Sequence, residues 1–171
     1  MNEDGEELYP RKWNSAFIDL PEIIGQRTPT LTGEDITQIV AVAKGQTRLL
    51  FALLGGSGLR AGEALGLEIQ DISPDASTIV IRQSVWNGQK QTPKTHSALR
   101  EVDLHPSLAA MLKAFVGERK SGLLFETRNG KPLSQSNTIR RSLHPILKKL
   151  GREKAGFHSF RRYRVTHLRK N

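Results

Sequence analysis

Two basic positions combine residue types that could hold a phosphate group. The first is Arg60, which follows a glycine-rich loop in Gly58-Leu59-Arg60-Ala61-Gly62-Glu63 and is predicted to open a helix. Such a loop brings backbone N–H groups and a guanidinium together, an arrangement that suits phosphate. Taken alone, Arg60 is better explained as a solvated helix arginine that pairs with Glu63, three residues further on, than as a phosphate-binding residue. Arg60 therefore points to phosphate only in combination with other residues.

The second position is the motif His158-Ser159-Phe160-Arg161 near the end of the chain. His158 and Arg161 are three residues apart, so they project from one side of a helix and can reach one small ligand. Chance supplies this spacing often enough that the motif alone decides nothing. The surrounding density of cations says more, and we predict contacts with a DNA backbone from Arg162, Arg164, Arg169 and Lys170.

The charge of the whole chain supports a polyanionic partner. The 171 residues carry a net charge of +9, and residues 111–171 hold 16 basic and 3 acidic side chains. A basic third on a near-neutral body is typical of nucleic-acid binding, with a soluble basic surface as the alternative. The absence of cysteine excludes a disulfide scaffold, cysteine-ligated zinc and a cysteine nucleophile. There is no apolar run of membrane-spanning length, and the acidic N-terminus does not resemble a signal peptide.

The sequence pattern predicts where these residues are positioned. Residues 1–30 resemble an N-terminal arm or interdomain linker, because they hold three prolines and show no sustained apolar period. Thr32 and Asp35 form a capping signal for a first helix. A second apolar helix is predicted to stop within 55–58, and a short third helix to begin at Arg60.

The middle of the chain changes to a strand pattern. Residues 78–84 are rich in β-branched side chains, Asn87-Gly88 is a strong hairpin turn from which residues 89–92 return as a second strand, and residues 100–104 alternate. These segments predict a small three-stranded antiparallel sheet, with Lys94 at a strand end or turn.

The remainder is predicted to be helical. Apolar stripes begin at Leu108 and at Ile139, Pro145 is expected to kink or split the second of them, and a last helix is expected from near Ser159. The predicted fold class is mainly α (α+β), with one domain over residues 31–171.

Three segments together are more specific than any one of them. GSGLRAGEALGLEIQDI, TPKTHSALREVDL and GFHSFRRYRVTHL occur in this order. They resemble the first-arginine box, the β-hairpin lysine segment and the His-x-x-Arg box of the tyrosine recombinases, the phage-integrase family. The similarity covers about residues 31–171 and implies a helical DNA breaking-rejoining core with a small antiparallel sheet.

The resemblance implies a role for each matching residue. Arg60 and Arg161 match the two catalytic arginines, Lys94 the hairpin lysine and His158 the histidine, while Glu63 matches a supporting acidic position. The family cuts one DNA strand with a tyrosine hydroxyl, keeps the phosphate as a phosphotyrosine ester and rejoins the strand without ATP. Two guanidiniums would stabilise the transition-state charge, and the lysine would protonate the leaving hydroxyl. No metal or other cofactor is implied.

The sequence departs from the family pattern at the nucleophile. Neither of its two tyrosines, Tyr9 and Tyr163, occupies the nucleophile's place after the His-x-x-Arg helix. We therefore expect a C-terminally truncated catalytic domain that binds DNA and the scissile phosphate without cutting it.

The resemblance also implies partners and leaves alternatives open. We expect double-stranded DNA as the partner, no membrane, and a location in the cytoplasm with the bacterial or phage nucleoid. A tetramer on DNA is expected for the full-length protein and a monomer for this chain. The alternatives are a non-catalytic DNA-binding module or degenerate integrase remnant, a type IB topoisomerase-like enzyme, and a basic RNA-binding protein. The target site, and the choice among integration, excision, inversion and dimer resolution, are not readable from these residues.

Overall fold

The first helix begins at the predicted capping signal. The computed structural model describes residues 29–91 and 99–170. Helix α1 (Gly33–Val42) is capped by Thr32, whose hydroxyl accepts the backbone N–H of Asp35 at 3.2 Å. The Asp35 carboxylate accepts the backbone N–H of Thr32 at 2.8 Å in return. This reciprocal pair satisfies N–H groups that the first turn of a helix leaves without partners.

Helix α2 (Gly45–Ser57) ends within the predicted segment, but only at its last glycine. The helix continues through Gly55 and Gly56 and ends at Gly58, where φ is +70°. A Cβ on Gly55 would lie 2.7 Å from the Ile36 side chain, so this glycine allows α1 and α2 to pack closely. Helix α3 (Ala61–Gly66) follows after three residues, and Arg60 is its N-cap.

The strands form two short antiparallel ladders in the described residues, rather than a single three-stranded sheet. Strand β1 (Thr78–Ile81) pairs with β4 (Arg100–Asp103), and β2 (Ser84–Trp86) pairs with β3 (Gln89–Gln91). The predicted continuous strand over 78–84 is interrupted because Arg82 and Gln83 turn away to bond with other groups. The guanidinium of Arg82 pairs with Asp71, and the amide of Gln83 donates to the Gly66 carbonyl at 2.7 Å.

The β2–β3 hairpin turns where the sequence predicted. Asn87 has a φ of 48° and Gly88 a φ of 76°. Positive φ at both central residues is the conformation that matches the twist of a two-residue hairpin. Residues 92–98, which include Lys94, lie outside the described residues.

The C-terminal half is helical, and its middle stripe is split near Pro145. Helix α4 (Pro106–Val116) precedes α5 (Gln135–Thr138), a π-type turn (Ile139–Leu143) and α6 (His144–Lys149). The N–H of His144 donates to the carbonyl of Ile139, five residues back. Pro145 lacks a backbone N–H and so interrupts a regular ladder, which explains the split.

Helix α7 (His158–Lys170) is held against α2 by aromatic packing. The ring of Phe160 stacks on that of Phe51, with centroids 5.8 Å apart, and Phe157 lies 6.1 Å from Phe51. All three rings are buried. This cluster fixes the first turn of α7 beside the loop that follows α2, so His158 and Arg161 are placed near Arg60. The arrangement confirms the predicted mainly α (α+β) class.

None of the helices in the described part of the chain is long and apolar enough to cross a membrane.

Candidate phosphate-binding site

The side chain of Arg60 is presented to solvent at the start of α3. Gly58 ends α2 in the left-handed conformation, and Arg60 then takes the N-cap position of α3. The Arg60 side chain is 61% exposed. Its Nη1 pairs with Glu63 Oε1 at 3.0 Å, as the sequence predicted for a helix pair. The guanidinium is therefore both anchored on one edge and open to a ligand on the other.

Glu63 is a buried carboxylate held by two arginines. Besides the Arg60 side chain, its Oε2 accepts the backbone N–H of Arg60 at 2.7 Å. Arg100 on β4 donates from Nη2 to Oε2 at 2.8 Å and from Nη1 to Oε1 at 3.2 Å. This paired geometry is the strong form of an arginine–carboxylate contact. Sequence reasoning predicted Glu63 as a supporting residue but missed Arg100, because 37 residues separate the two.

The surroundings of Glu63 keep it ionised. Burial opposes ionisation, but the hydrogen bonds from the Arg60 backbone and from the guanidiniums of Arg60 and Arg100 outweigh it. Together they lower the pKa of the Glu63 carboxyl below its ordinary value of 4.5. The local charge of the two arginines and Glu63 is therefore +1 at neutral pH, which leaves a net attraction for an anion.

His158 and Arg161, on α7, lie near the loop that carries Arg60. Nη1 of Arg161 donates to the carbonyl of Gly58 at 2.9 Å, so Arg161 is bonded to the loop that carries Arg60. His158 is exposed at the start of α7 and lines a pocket together with Arg60. The structure thus brings together two of the predicted motifs, which are almost one hundred residues apart.

The pocket has a volume of about 410 Å³ and mixed chemistry. Arg60, Glu63 and His158 supply charged or ionisable groups. Its apolar and polar walls come from α3, the β strands and α5; they are Ala61, Gly62, Ile81, Gln83, Ser84, Val85, Trp86, Gln91 and Gln135. Sequence reasoning missed Trp86, Gln91 and Gln135 as site residues. The only sequence signal for Trp86 was its place beside the Asn87-Gly88 turn.

Two described residues close to the ends of segment 92–98, which contains Lys94 and is called the Lys94 segment here, are near this site. Gln91, the last residue before the segment, lines the pocket, and Arg100, just after it, bonds to Glu63. Lys94 itself lies outside the described residues.

A separate cluster of polar groups ties the hairpin to the body. The carboxylate of Glu68 accepts from Lys90 on β3 and from the Gln83 amide, the latter at 3.0 Å. The hydrogen bond from Lys90, followed by that from Gln83, lowers the pKa of Glu68. The β2–β3 hairpin is thus attached at Glu68 as well as by packing on α3.

The predicted DNA-contacting residues follow along α7. Arg162 is exposed, and the stem of Arg164 passes close to Gly58, where a Cβ would lie 3.1 Å from Arg164 Cγ. Arg169 and Lys170 belong to the same helix. Within residues 29–91 and 99–170, no three His, Asp or Glu side chains are grouped so that they could hold a metal ion.

The chain matches known proteins over most of its length. The model of the phage integrase family matches residues 29–171. A tyrosine recombinase XerC-like protein of Caldanaerobacter subterraneus subsp. tengcongensis is 27% identical over 176 residues, which cover 86% of this chain and 45% of the relative. An integrase/recombinase of Escherichia coli is 30% identical over 102 residues, covering 55% of this chain and 28% of the relative.

Solved structures share the fold. A variant of the Tn1549 transposon integrase in complex with a circular intermediate DNA superposes with a TM-score of 0.72 at 18% identity, over 91% of this chain and 57% of that one. The XerA recombinase superposes with a TM-score of 0.65 at 19% identity, over 89% of this chain and 53% of that one. The chain therefore spans about half the length, or less, of the relatives it matches. The family match, which extends over the arginine loop, the strands and α7, shows that this chain belongs to the phage integrase family.

Proposed function

We propose that residues 1–171 belong to an enzyme of site-specific DNA recombination, and that the pocket at Arg60 binds the phosphate at which a DNA strand is cut and rejoined. One observation carries this proposal: Arg60 and His158 line one pocket, and Arg161 is bonded to the loop that presents Arg60. A guanidinium and an imidazole in one pocket, with a second guanidinium bonded to the adjoining loop, suit a phosphate that gains negative charge during reaction.

Each residue takes a role that follows from its chemistry. In strand transfer a hydroxyl oxygen forms a bond to phosphorus, and the bond from phosphorus to the leaving DNA oxygen breaks. Arg60 and Arg161 bind the non-bridging oxygens, whose negative charge increases in the transition state. His158 donates a hydrogen bond to the phosphate or assists proton transfer.

Lys94 is proposed as the general acid. The departing DNA oxygen needs a proton, and a lysine ammonium can supply it. The support for Lys94 is indirect: Gln91, on one side of its segment, lines the pocket, and Arg100, on the other side, bonds to Glu63, which also lines it.

We further propose that these residues bind DNA without forming a phosphotyrosine. Tyr163 packs towards α1, where a Cβ on Gly33 would lie 2.9 Å from its hydroxyl, and its ring stacks on His167 with centroids 5.6 Å apart. The Tyr163 side chain therefore lies on a different side of α7 from His158, which lines the pocket. The proposed partner is duplex DNA, with the chain itself monomeric.

Binding to labelled duplex DNA at low salt tests the proposal. Arg60→Gln should weaken binding about tenfold, which is ~1.4 kcal/mol, because a charged phosphate contact is lost. The control is Arg128→Gln, which removes the same charge from an exposed residue outside the pocket. Equal weakening by the two variants would show that the pocket is not where phosphate binds.

A strand-cleavage assay tests the proposal that residues 1–171 do not form a phosphotyrosine. A DNA substrate that traps the covalent intermediate should give no adduct with this chain. An adduct that resists SDS and is lost in Tyr163→Phe would show that Tyr163 is a nucleophile and would overturn this proposal.

A further inference from the structure

Trp86 has an exposed indole beside the charged groups of the pocket. It is the last residue of β2, next to the Asn87 turn, and 61% of it is exposed. Trp86 lines the pocket that holds Arg60 and also the neighbouring one formed by Leu133 to Ser136. The indole therefore forms part of the wall between two cavities.

The packing of the fold does not account for this position. Side chains alternate along a strand, and the neighbouring Val85 is the buried one, 5% exposed. Val85 holds β2 against α3, where a Cβ on Gly62 would lie 2.8 Å from the Val85 carbonyl oxygen. Trp86 points to the opposite face and leaves a large apolar surface in water. Trp86 is the one exposed large aromatic side chain among the described residues, and an exposed aromatic that lines a pocket with cationic groups suits a ligand with an apolar face.

The composition of the pocket indicates more than a phosphate. The guanidinium of Arg60 and the imidazole of His158 would bind a phosphate, but the other pocket residues have no role in phosphate binding. The same pocket is also lined by two apolar residues, Ile81 and Val85, and by two residues with side-chain amides, Gln91 and Gln135. A nucleotide has this combination of an anionic end, a flat apolar face and hydrogen-bonding edges. The volume of about 410 Å³ lies in the range of pockets that hold small ligands.

We propose that Trp86 stacks on an unpaired nucleobase of the nucleotide whose phosphate is bound at Arg60. This inference rests on the proposed function. Stacking on indole is tolerant of base identity, because every base has a π face. The contact would hold a base that has left the duplex stack while its phosphate is engaged.

Tryptophan fluorescence tests the contact directly, since the chain has only two tryptophans. Trp13→Phe leaves Trp86 as the sole indole and serves as the background. The probes are a short single-stranded oligothymidine and an abasic oligomer of the same length and charge. We expect quenching of Trp86 by oligothymidine and little quenching by the abasic oligomer. Equal quenching by both, or none by either while binding occurs, would overturn the proposal.

Substitutions at Trp86 separate stacking from charge. Trp86→Leu should weaken binding of oligothymidine about tenfold and binding of the abasic oligomer by less than about twofold, whereas Trp86→Phe retains most of the affinity. Leu168→Ala is the matched control, because Leu168 is also 61% exposed and lies on α7. Loss of affinity for both oligomers in Trp86→Leu would contradict stacking.

The failure of this inference is distinguishable from failure of the proposed function. If Arg60→Gln weakens DNA binding and Trp86→Leu does not, only the stacking contact is wrong. If neither variant alters DNA binding, both the phosphate site and the stacking contact are wrong.

Discussion

Glu63 connects two parts of the chain that are distant in sequence. It accepts hydrogen bonds from Arg60, at the start of α3, and from Arg100, on β4 just after the Lys94 segment. A buried carboxylate with two arginine partners fixes the direction of both guanidiniums. The position of Arg60 in the pocket therefore depends on an acidic residue that need not touch the ligand.

Glu63→Gln should lower the free energy of unfolding at neutral pH by about 1–3 kcal/mol, because the arginines lose a charged acceptor. The effect has a defined pH dependence. The pKa of Glu63 is below its ordinary value of 4.5 in the folded state, so the ionised carboxyl stabilises the fold above about that pH. This contribution is lost as the pH falls through the folded-state pKa.

Urea denaturation of the wild type and Glu63→Gln across this pH range measures the difference. The two unfolding free energies should converge on acidification. Glu118→Gln, at an exposed residue of the loop after α4, is the control and should stay within about 0.5 kcal/mol of wild type. A difference that is constant with pH would show that the charge of Glu63 is not responsible.

At the scale of elements, α3 is shaped to receive the β2 strand. Gly62 and Gly66 are four residues apart, so they share one face of the helix. A Cβ on Gly62 would lie 2.8 Å from the Val85 carbonyl oxygen, and one on Gly66 would lie 3.2 Å from the Gln83 carbonyl oxygen. The two glycines thus allow the strand backbone to lie directly on the helix and bring Trp86 and Gln91 to the pocket.

Gly62→Ala should destabilise the protein by about 1–3 kcal/mol and weaken DNA binding, because the new methyl group forces β2 away from α3. Gly156→Ala is the matched control, since a Cβ there has no neighbour within 4 Å. Thermal unfolding and DNA binding of both variants measure the effect. A Gly62→Ala protein as stable as the control would mean that the hairpin adjusts without loss.

Short sequence motifs predicted most of the helices and strands, whereas contacts between residues far apart in the chain could not be predicted. The capping pair Thr32–Asp35 and the Asn87-Gly88 turn act over a few residues, and both are confirmed. The predicted stop within 55–58 is confirmed at Gly58, whereas the role of Gly55 depends on contact with Ile36 of another helix and could not be predicted locally. The break after β1 was missed because the partner of Arg82, Asp71, is fixed only by the tertiary fold.

The difference between local motifs and long-range contacts also applies to the residues of the site. Arg60, Glu63, His158 and Arg161 lie in short motifs that resemble a family, and the structure brings them together. Arg100 and Trp86 have no motif around them, so only the folded arrangement reveals their proximity to the pocket.

At the scale of the whole molecule, the positive charge is concentrated on the helices that follow the sheet. Residues 111–171 carry 16 of the 26 basic side chains and 3 of the 17 acidic ones. The exposed Arg162 on α7 lies one residue from Arg161, whose guanidinium is fixed at the arginine loop. A DNA duplex seated with its phosphate at Arg60 would therefore meet further cations along α7.

The logarithm of the DNA-binding constant should fall linearly with the logarithm of the salt concentration, because each phosphate contact releases counterions. Arg162→Gln should reduce the magnitude of this slope by about 1. Lys113→Gln, at an exposed position on α4, removes the same charge and should leave the slope unchanged. A slope reduced by Lys113→Gln but not by Arg162→Gln would place DNA on the α4 side instead.

The π-type turn at Ile139–Leu143 has a consequence for tolerance to insertions and deletions. The turn closes its hydrogen bond over five residues instead of four and so takes up one extra residue locally, whereas a regular α-helix through the same residues would rotate α5 by about 100° relative to α6. Gln135, which α5 directs to the pocket, would then point elsewhere. Deleting one residue from this turn should therefore leave Gln135 at the pocket, whereas a regular helix of unchanged length would remove that wall of the site.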